Sequence, residues 1–211
     1  MIIGFIGLPR TGKTLFMVYH AYQTFIEGAE IFSNVTLKEP FQYTKMTPYD
    51  MLKIPFTNMD REKKTLLIQE ADKWFNARRS MRNENTLLGG LTGQSGKRNL
   101  SILWDTQFPH LVDNQLRDVT DMVYHCSVYL DSRTQEPLAF QYTKETRYEE
   151  IKLPPIPTPV LEPFFKMYLT YEPTPPMTQT KSMKELNTMY NPDATEPKKT
   201  RKSRNTQRFY S

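Results

Sequence analysis

Residues 1–150 predict an α/β fold: a central, mostly parallel sheet flanked by helices, followed by a Pro-rich C-terminal extension. Three observations carry this. Short apolar runs alternate with amphipathic runs along residues 1–150, as strands joined by crossover helices do. Residues 7–14 read GLPRTGKT, between the apolar run MIIGFIG and the helical pattern KTLFMVYHAYQTFIEG. From residue 153 to 176, eight prolines are interleaved with Phe164, Phe165, Met167, Tyr168 and Tyr171.

Taken in order, the expected strands are 2–6, 30–35, 65–70, 100–107, 122–130 and 138–143. Helices are expected over 13–26, 71–79 and 109–119. Residues 81–97, rich in Gly and Asn, read as a mobile loop or a frayed helix. Prolines remove ladder donors and break helix interiors, so 151–178 reads as an extended strap that packs its aromatics on the 1–150 core. Residues 179–211 read as a short helix, 180–190, and a basic tail, disordered after Pro192.

The length, 211 residues, suits one substantial α/β domain with extensions. The one cysteine, Cys126, excludes a disulfide framework and a cysteine zinc site. Its setting in MVYHCSVYL reads as a small buried residue. There is no basic leader, and no stretch approaches the ~20 apolar residues of a spanning helix, so a soluble protein is expected. The net charge is +5, and the tail carries Lys198, Lys199, Arg201, Lys202, Arg204 and Arg208, which leaves the body close to neutral.

GLPRTGKT is a complete phosphate-binding loop in its proper strand–loop–helix context. Gly7 and Gly12 permit backbone that a side chain would block, and the loop N–H groups with the helix N-terminus attract an anion. Gly7, Leu8, Pro9, Arg10, Thr11, Gly12, Lys13, Thr14 and Leu15 are the candidate nucleotide contacts. Lys13 reaches the β- and γ-phosphates as a point charge, and the Thr14 hydroxyl is a ligand for Mg²⁺. The substrate class is a nucleoside triphosphate, ATP, with Mg²⁺ as cofactor.

TLLIQEADKWF places Glu70 at the end of an apolar strand, as general base and as an indirect Mg²⁺ partner through water. The other reading of Glu70 is a helix cap, where an acid is favourable. LSILWDTQFP ends a further strand. Parallel strands present their C-terminal ends to the ligand crevice, so Gln107 can contact the γ-phosphate or hold the lytic water as a sensor. The other reading makes Asp105 and Thr106 a helix cap before Pro109.

The ordered set GLPRTGKT, IFSNVTL, LLIQEADKWFNARRS and ILWDTQFPHLVDNQLRDVTDMVYHC resembles the FtsK–HerA superfamily of P-loop ATPases (RecA-like in fold). Within it, the chain is similar to the genome-packaging ATPases of tailless icosahedral archaeal viruses, of the Sulfolobus turreted icosahedral virus type. It is also similar to the zonula-occludens-toxin-like assembly ATPases of filamentous phages. The resemblance covers roughly residues 1–145. In many such ATPases the end of the strand corresponding to 65–70 reads Asp–Glu; here Gln69 stands at the Asp position, so the metal-side detail departs from the pattern.

The resemblance implies an ATP-driven motor that translocates double-stranded DNA into a procapsid at a capsid vertex, in the host cytoplasm and then on the virion. Such motors act as homo-oligomeric rings, commonly hexamers, with an arginine finger supplied across the interface. Arg79 and Arg117 are the candidates, with Arg78 beside the first; the sequence does not choose among them. DNA contact is expected from Arg82, Lys97 and Arg98 in the Gly-rich 81–98 segment, through sequence-independent phosphate contacts. The basic tail reads equally as a DNA-binding or a capsid-docking segment. The alternatives are a zonula-occludens-toxin-like ATPase driving phage extrusion and a small-molecule P-loop kinase.

Overall fold

The computed structural model describes residues 1–47, 50, 62–77 and 99–170, all within one compact unit, Met1–Thr178. The expectations for 81–97, 180–190 and the tail lie outside the described residues.

The described elements run β1 (Ile2–Ile6), α1 (Lys13–Ile26), β2 (Glu30–Ser33), β3 (Tyr43–Lys45), β4 (Lys64–Ile68), α2 (Ala71–Trp74), β5 (Leu100–Thr106), α3 (Asn114–Asp118), β6 (Met122–Leu130), β7 (Pro137–Thr146), β8 (Glu150–Lys152), β9 (Ile156–Pro157) and α4 (Thr158–Phe165). They form a sheet of order β3-β2-β4-β5-β1-β6-β7-β8, with β9 also pairing β7. Pairing is parallel from β3 to β6 and antiparallel beyond.

The central strands read as apolar runs because both faces are covered. All of β4 is buried, including Lys64 and Thr65. On α1, Leu15, Phe16, Met17, Val18 and Ala21 are buried. Phe16 stacks on Tyr142 of β7 at 3.7 Å between ring centroids, which fixes the helix over the parallel-to-antiparallel junction.

Three expectations are corrected. Helix 71–79 ends as helix at Trp74; Asn76 then bridges Val112, and Asp113 N donates to Phe75 O at 2.8 Å. Helix 109–119 is two pieces, a 3₁₀ turn at Pro109–Leu111 and α3. Val112 between them is extended, and Asp113 caps α3 by accepting from Gln115 N at 2.8 Å, so a new helix start interrupts the pattern. The Pro-rich segment is not extended throughout. Pro157 pairs at the β7 edge, a place that tolerates proline. In α4, Pro159 sits in the first turn, where no intrahelical N–H bond is lost. Pro163 lies inside the helix, and packing offsets its missing donor: Phe164 contacts Tyr19 and Tyr22 of α1, and Phe165 contacts Phe140. Among the described residues no helix is long and apolar enough to cross a membrane.

Candidate phosphate-binding site

Strand order brings the functional segments together. β5 lies between β1 and β4, so the C-terminal ends of these three strands open on one edge, where parallel α/β sheets bind ligands. Phe5 is in register with Asp105 and Ile6 with Thr106, while Ile68 is in register with Trp104. The glycine-rich loop leaves β1 here, Gln69 and Glu70 follow β4, and Gln107 follows β5. A cleft of about 390 Å³ at this edge is lined by Arg10, Lys13, Thr14, Glu70, Asp105 and Gln107, among others.

The loop is held by its own groups. Arg10 and Gly12 take left-handed backbone, φ 64° and 82°, the kind of alternation that turns successive N–H groups into an anion-binding concavity. A Cβ on Gly12 would lie 2.6 Å from the Phe140 ring, and one on Gly7 would lie 2.5 Å from the Cys126 carbonyl oxygen. The loop therefore rests directly on β6 and β7. Thr11 Oγ1 and Lys13 Nζ both donate to Leu8 O at 2.8 Å. Leu8, Pro9 and Arg10 are exposed, and Leu15 is in the core. α1 starts at Lys13 with no side-chain cap and no acidic residue in its first turn, which leaves its N-terminal N–H groups for an anion.

Lys13 is only 8% exposed. Burial draws its ammonium below the ordinary lysine range, against the negative charges of Asp105, Glu70 and Asp72. Cys126 is buried beside the loop, and burial pushes its thiol well up, so it acts as a small core residue.

Opposite the loop, Thr14 Oγ1 donates to Asp105 Oδ2 at 2.6 Å. The other carboxylate oxygen, Oδ1, accepts from Glu70 N at 2.8 Å. Asp105 is 1% exposed; burial pushes its carboxyl up to about 6, against the Thr14 and Glu70 hydrogen bonds and the Lys13 charge. Gln69 Nε2 lies 3.5 Å from Thr14 Oγ1. Glu70 is left-handed, φ 53°, and its Oε2 accepts from Lys73 Nζ at 2.5 Å. It occupies the cap position of α2 and makes no side-chain capping bond. Thr106 instead ties β5 to α2, donating to Asp72 Oδ1 at 2.5 Å and accepting from Phe108 N at 3.0 Å.

Gln107 is half-buried in the cleft wall. Arg117 is exposed on α3, with its guanidinium donating to Asn114 Oδ1, and it is not among the cleft residues. Arg78, Arg79, Arg82, Lys97 and Arg98 lie outside the described residues. Several cleft residues are not site candidates in the sequence, among them Lys73, Thr170, Asp105, which reads there only as a cap, and Tyr168. Tyr168 follows α4 and bridges Leu37 beyond β2; it is buried, and burial pushes its phenol up to about 12. The signal for it is its place among the interleaved aromatics.

Among the described residues no group of three or more His, Cys, Asp and Glu side chains could hold a metal ion. Thr14, Asp105 and Glu70 do place hard oxygen donors at one edge. That set suits Mg²⁺, which keeps waters and shares phosphate oxygens instead of occupying a protein cage.

No family model matches the sequence, and no curated protein matches it. Solved structures match the fold. The N-terminal domain of zonular occludens toxin from Neisseria meningitidis is 18% identical, covers 87% of this chain and 96% of its own, and has a TM-score of 0.52. The genome-packaging NTPase B204 of Sulfolobus turreted icosahedral virus 2, in complex with AMPPCP, is 11% identical, covers 74% and 97%, and scores 0.51. The pCW3 conjugation coupling protein TcpA, with ATPγS, is 8% identical, covers 78% and 64%, and scores 0.54. The chain thus has the fold of P-loop NTPases.

Proposed function

We propose that this chain is an ATP-hydrolysing motor that drives double-stranded DNA into a viral procapsid. The observation that carries the hydrolysis is the convergence of Thr14, Glu70 and Gln107 on one cleft from three neighbouring parallel strands. The loop N–H groups, Lys13 and the start of α1 bind the phosphates. Glu70 takes a proton from the attacking water, Gln107 holds that water against the γ-phosphate, and the bond to the β–γ bridging oxygen breaks to release ADP and phosphate. Thr14 would hold Mg²⁺, whose charge, when bound, neutralises the phosphate oxygens.

The load rests on the motif resemblance and on the likeness in fold to a packaging NTPase. In this reading the subunits form a ring, a hexamer at the capsid vertex, with Arg79 or Arg117 completing a neighbour's site and Arg82, Lys97 and Arg98 on the DNA path. A second reading, a zonula-occludens-toxin-like assembly ATPase, is favoured by the longer structural match, 87% of this chain against 74%.

The test is ATP turnover against protein concentration, with and without double-stranded DNA. The motor reading expects a rate per subunit that rises with concentration and rises again with DNA. DNA-independent turnover together with recovery on a membrane partner would favour the second reading. Phosphoryl transfer to a small acceptor would overturn both.

A further inference from the structure

Position 69 is glutamine, and an amide cannot supply the negative charge of a metal-side carboxylate. We propose that Asp105, on the adjacent strand β5, is the metal-side carboxylate of this site and positions Thr14 for Mg²⁺. The inference rests on the nucleotide-site reading above and deepens it.

The hydrogen-bond directions carry it. Thr14 has one hydroxyl proton, and Asp105 Oδ2 accepts it at 2.6 Å. The lone pairs of Oγ1 are then left to face other donors or a cation. The amide of Gln69 is a donor 3.5 Å from the same oxygen, so it competes with a cation for a lone pair and cannot orient the proton. Asp105 Oδ1 meanwhile accepts the Glu70 N–H at 2.8 Å, at a residue held in left-handed backbone. One carboxylate therefore joins the hydroxyl that would ligate the metal to the residue that would activate the water.

Register makes the substitution geometrically natural. β4 and β5 are parallel neighbours, and both end at the same edge, so a carboxylate lost after β4 can be replaced from the end of β5. A purely structural role competes with this: Asp105 could simply tie α1 and the β4 end to β5. Against it, burying a carboxylate is costly, and the residue stands in the cleft wall beside Thr14 and Lys13.

The test measures the affinity of the full chain for a fluorescent non-hydrolysable ATP analogue, with Mg²⁺ and with EDTA. For the wild type, Mg²⁺ should strengthen binding. Asp105→Asn should keep the EDTA affinity and lose about 10–100-fold of the Mg²⁺-dependent gain, the usual effect of removing a group that orients a metal ligand. Asp105→Asn combined with Gln69→Asp should regain part of that gain, which a merely structural role would not allow. Where circular dichroism shows Asp105→Asn unfolded, Asp105→Glu replaces it: the displaced carboxylate must weaken binding with Mg²⁺ more than binding in EDTA. A Mg²⁺-dependent gain unchanged by these substitutions overturns the inference alone. A wild type that binds no nucleotide overturns the underlying reading, and this inference with it.

Discussion

Asn34 and Gln69 exchange two hydrogen bonds: Gln69 N donates to Asn34 Oδ1 at 2.8 Å, and Asn34 Nδ2 donates to Gln69 O at 2.9 Å. The β2–β4 ladder ends at Ser33 and Leu67, so a side-chain amide continues the pairing past the strand ends. Gln69 thus serves through its backbone, and it fixes where Glu70 begins. Asn34→Ala leaves a half-buried N–H and C=O without that partner, and should cost about 1–3 kcal/mol. Because the change reaches Glu70 and not the loop, it should lower kcat more than it raises KM for ATP. Urea denaturation beside steady-state kinetics checks both halves; a stability loss with unchanged kcat would show that Asn34 only braces the sheet.

Glu70→Gln preserves side-chain size and the backbone hydrogen bond to Asp105, while removing the proposed base and the ion pair with Lys73. Turnover should fall by about 10²–10⁴-fold, the range for loss of a general base, with nucleotide affinity retained. Single-turnover assays with parallel binding titrations measure this, and near-normal hydrolysis excludes Glu70 as the base.

The sites differ in how local their signals are. GLPRTGKT is contiguous, so its loop and the helix after it are legible directly; β1, α1 and β6 occupy the expected bounds because their apolar patterns are uninterrupted. Asp105 is separated from Thr14 by 91 positions. Its contact depends on which strands are neighbours and in what register, which the pattern of one segment does not encode. The same holds for β3, too short to show a period, and for Tyr168, which reaches the cleft only because its segment bridges Leu37. The break at Val112 depends on a tertiary bridge to Asn76, again invisible in local periodicity.

Gly12→Ala should destabilise the fold and weaken phosphate binding together. The residue sits at φ 82°, and an added Cβ would meet the Phe140 ring at 2.6 Å, so both left-handed strain and overpacking act. A loss of roughly 2–4 kcal/mol is expected from the two effects. Adding Phe140→Ala should leave the φ strain in place and open a cavity, so it should not restore stability. Thermal denaturation of the single and double variants tests this, and full recovery in the double variant would show that contact alone sets the glycine requirement.

His20 lies among Phe5, Phe16, Tyr19 and Tyr124, at 4.7–5.8 Å between ring centroids, with Nε2 buried and unpartnered among the described residues. Burial lowers its pKa from 6.5 to about 4. The unfolded chain therefore takes up a proton that the folded chain refuses, so stability from this residue is complete above pH 6.5 and falls as the pH drops towards 4. Between pH 7 and pH 5 the loss should be about 2 kcal/mol. His20→Phe should remove that part of the acid sensitivity while keeping the aromatic packing. Denaturation of both proteins at the two pH values measures it; equal slopes would show that His20 is solvated in the folded state.

Arg117 is exposed and outside the cleft of its own subunit, its guanidinium resting on Asn114. In the ring proposed above, a residue so placed would complete a neighbour's site. Arg117→Ala should therefore depress turnover, by up to the ~10³–10⁵-fold range of an arginine finger, without changing nucleotide affinity. Mixing it with Glu70→Gln subunits discriminates a trans role from a cis one. Each variant alone lacks a group at every site, but in a mixed ring an Arg117→Ala subunit with its own Glu70 can face a Glu70→Gln subunit with its own Arg117. At equal mixing about one interface in four has this arrangement if assembly in the closed ring is random, so turnover should recover to about a quarter of the wild-type value. No recovery, in rings shown by light scattering to be mixed, excludes Arg117 as the trans donor and shifts the assignment to Arg79.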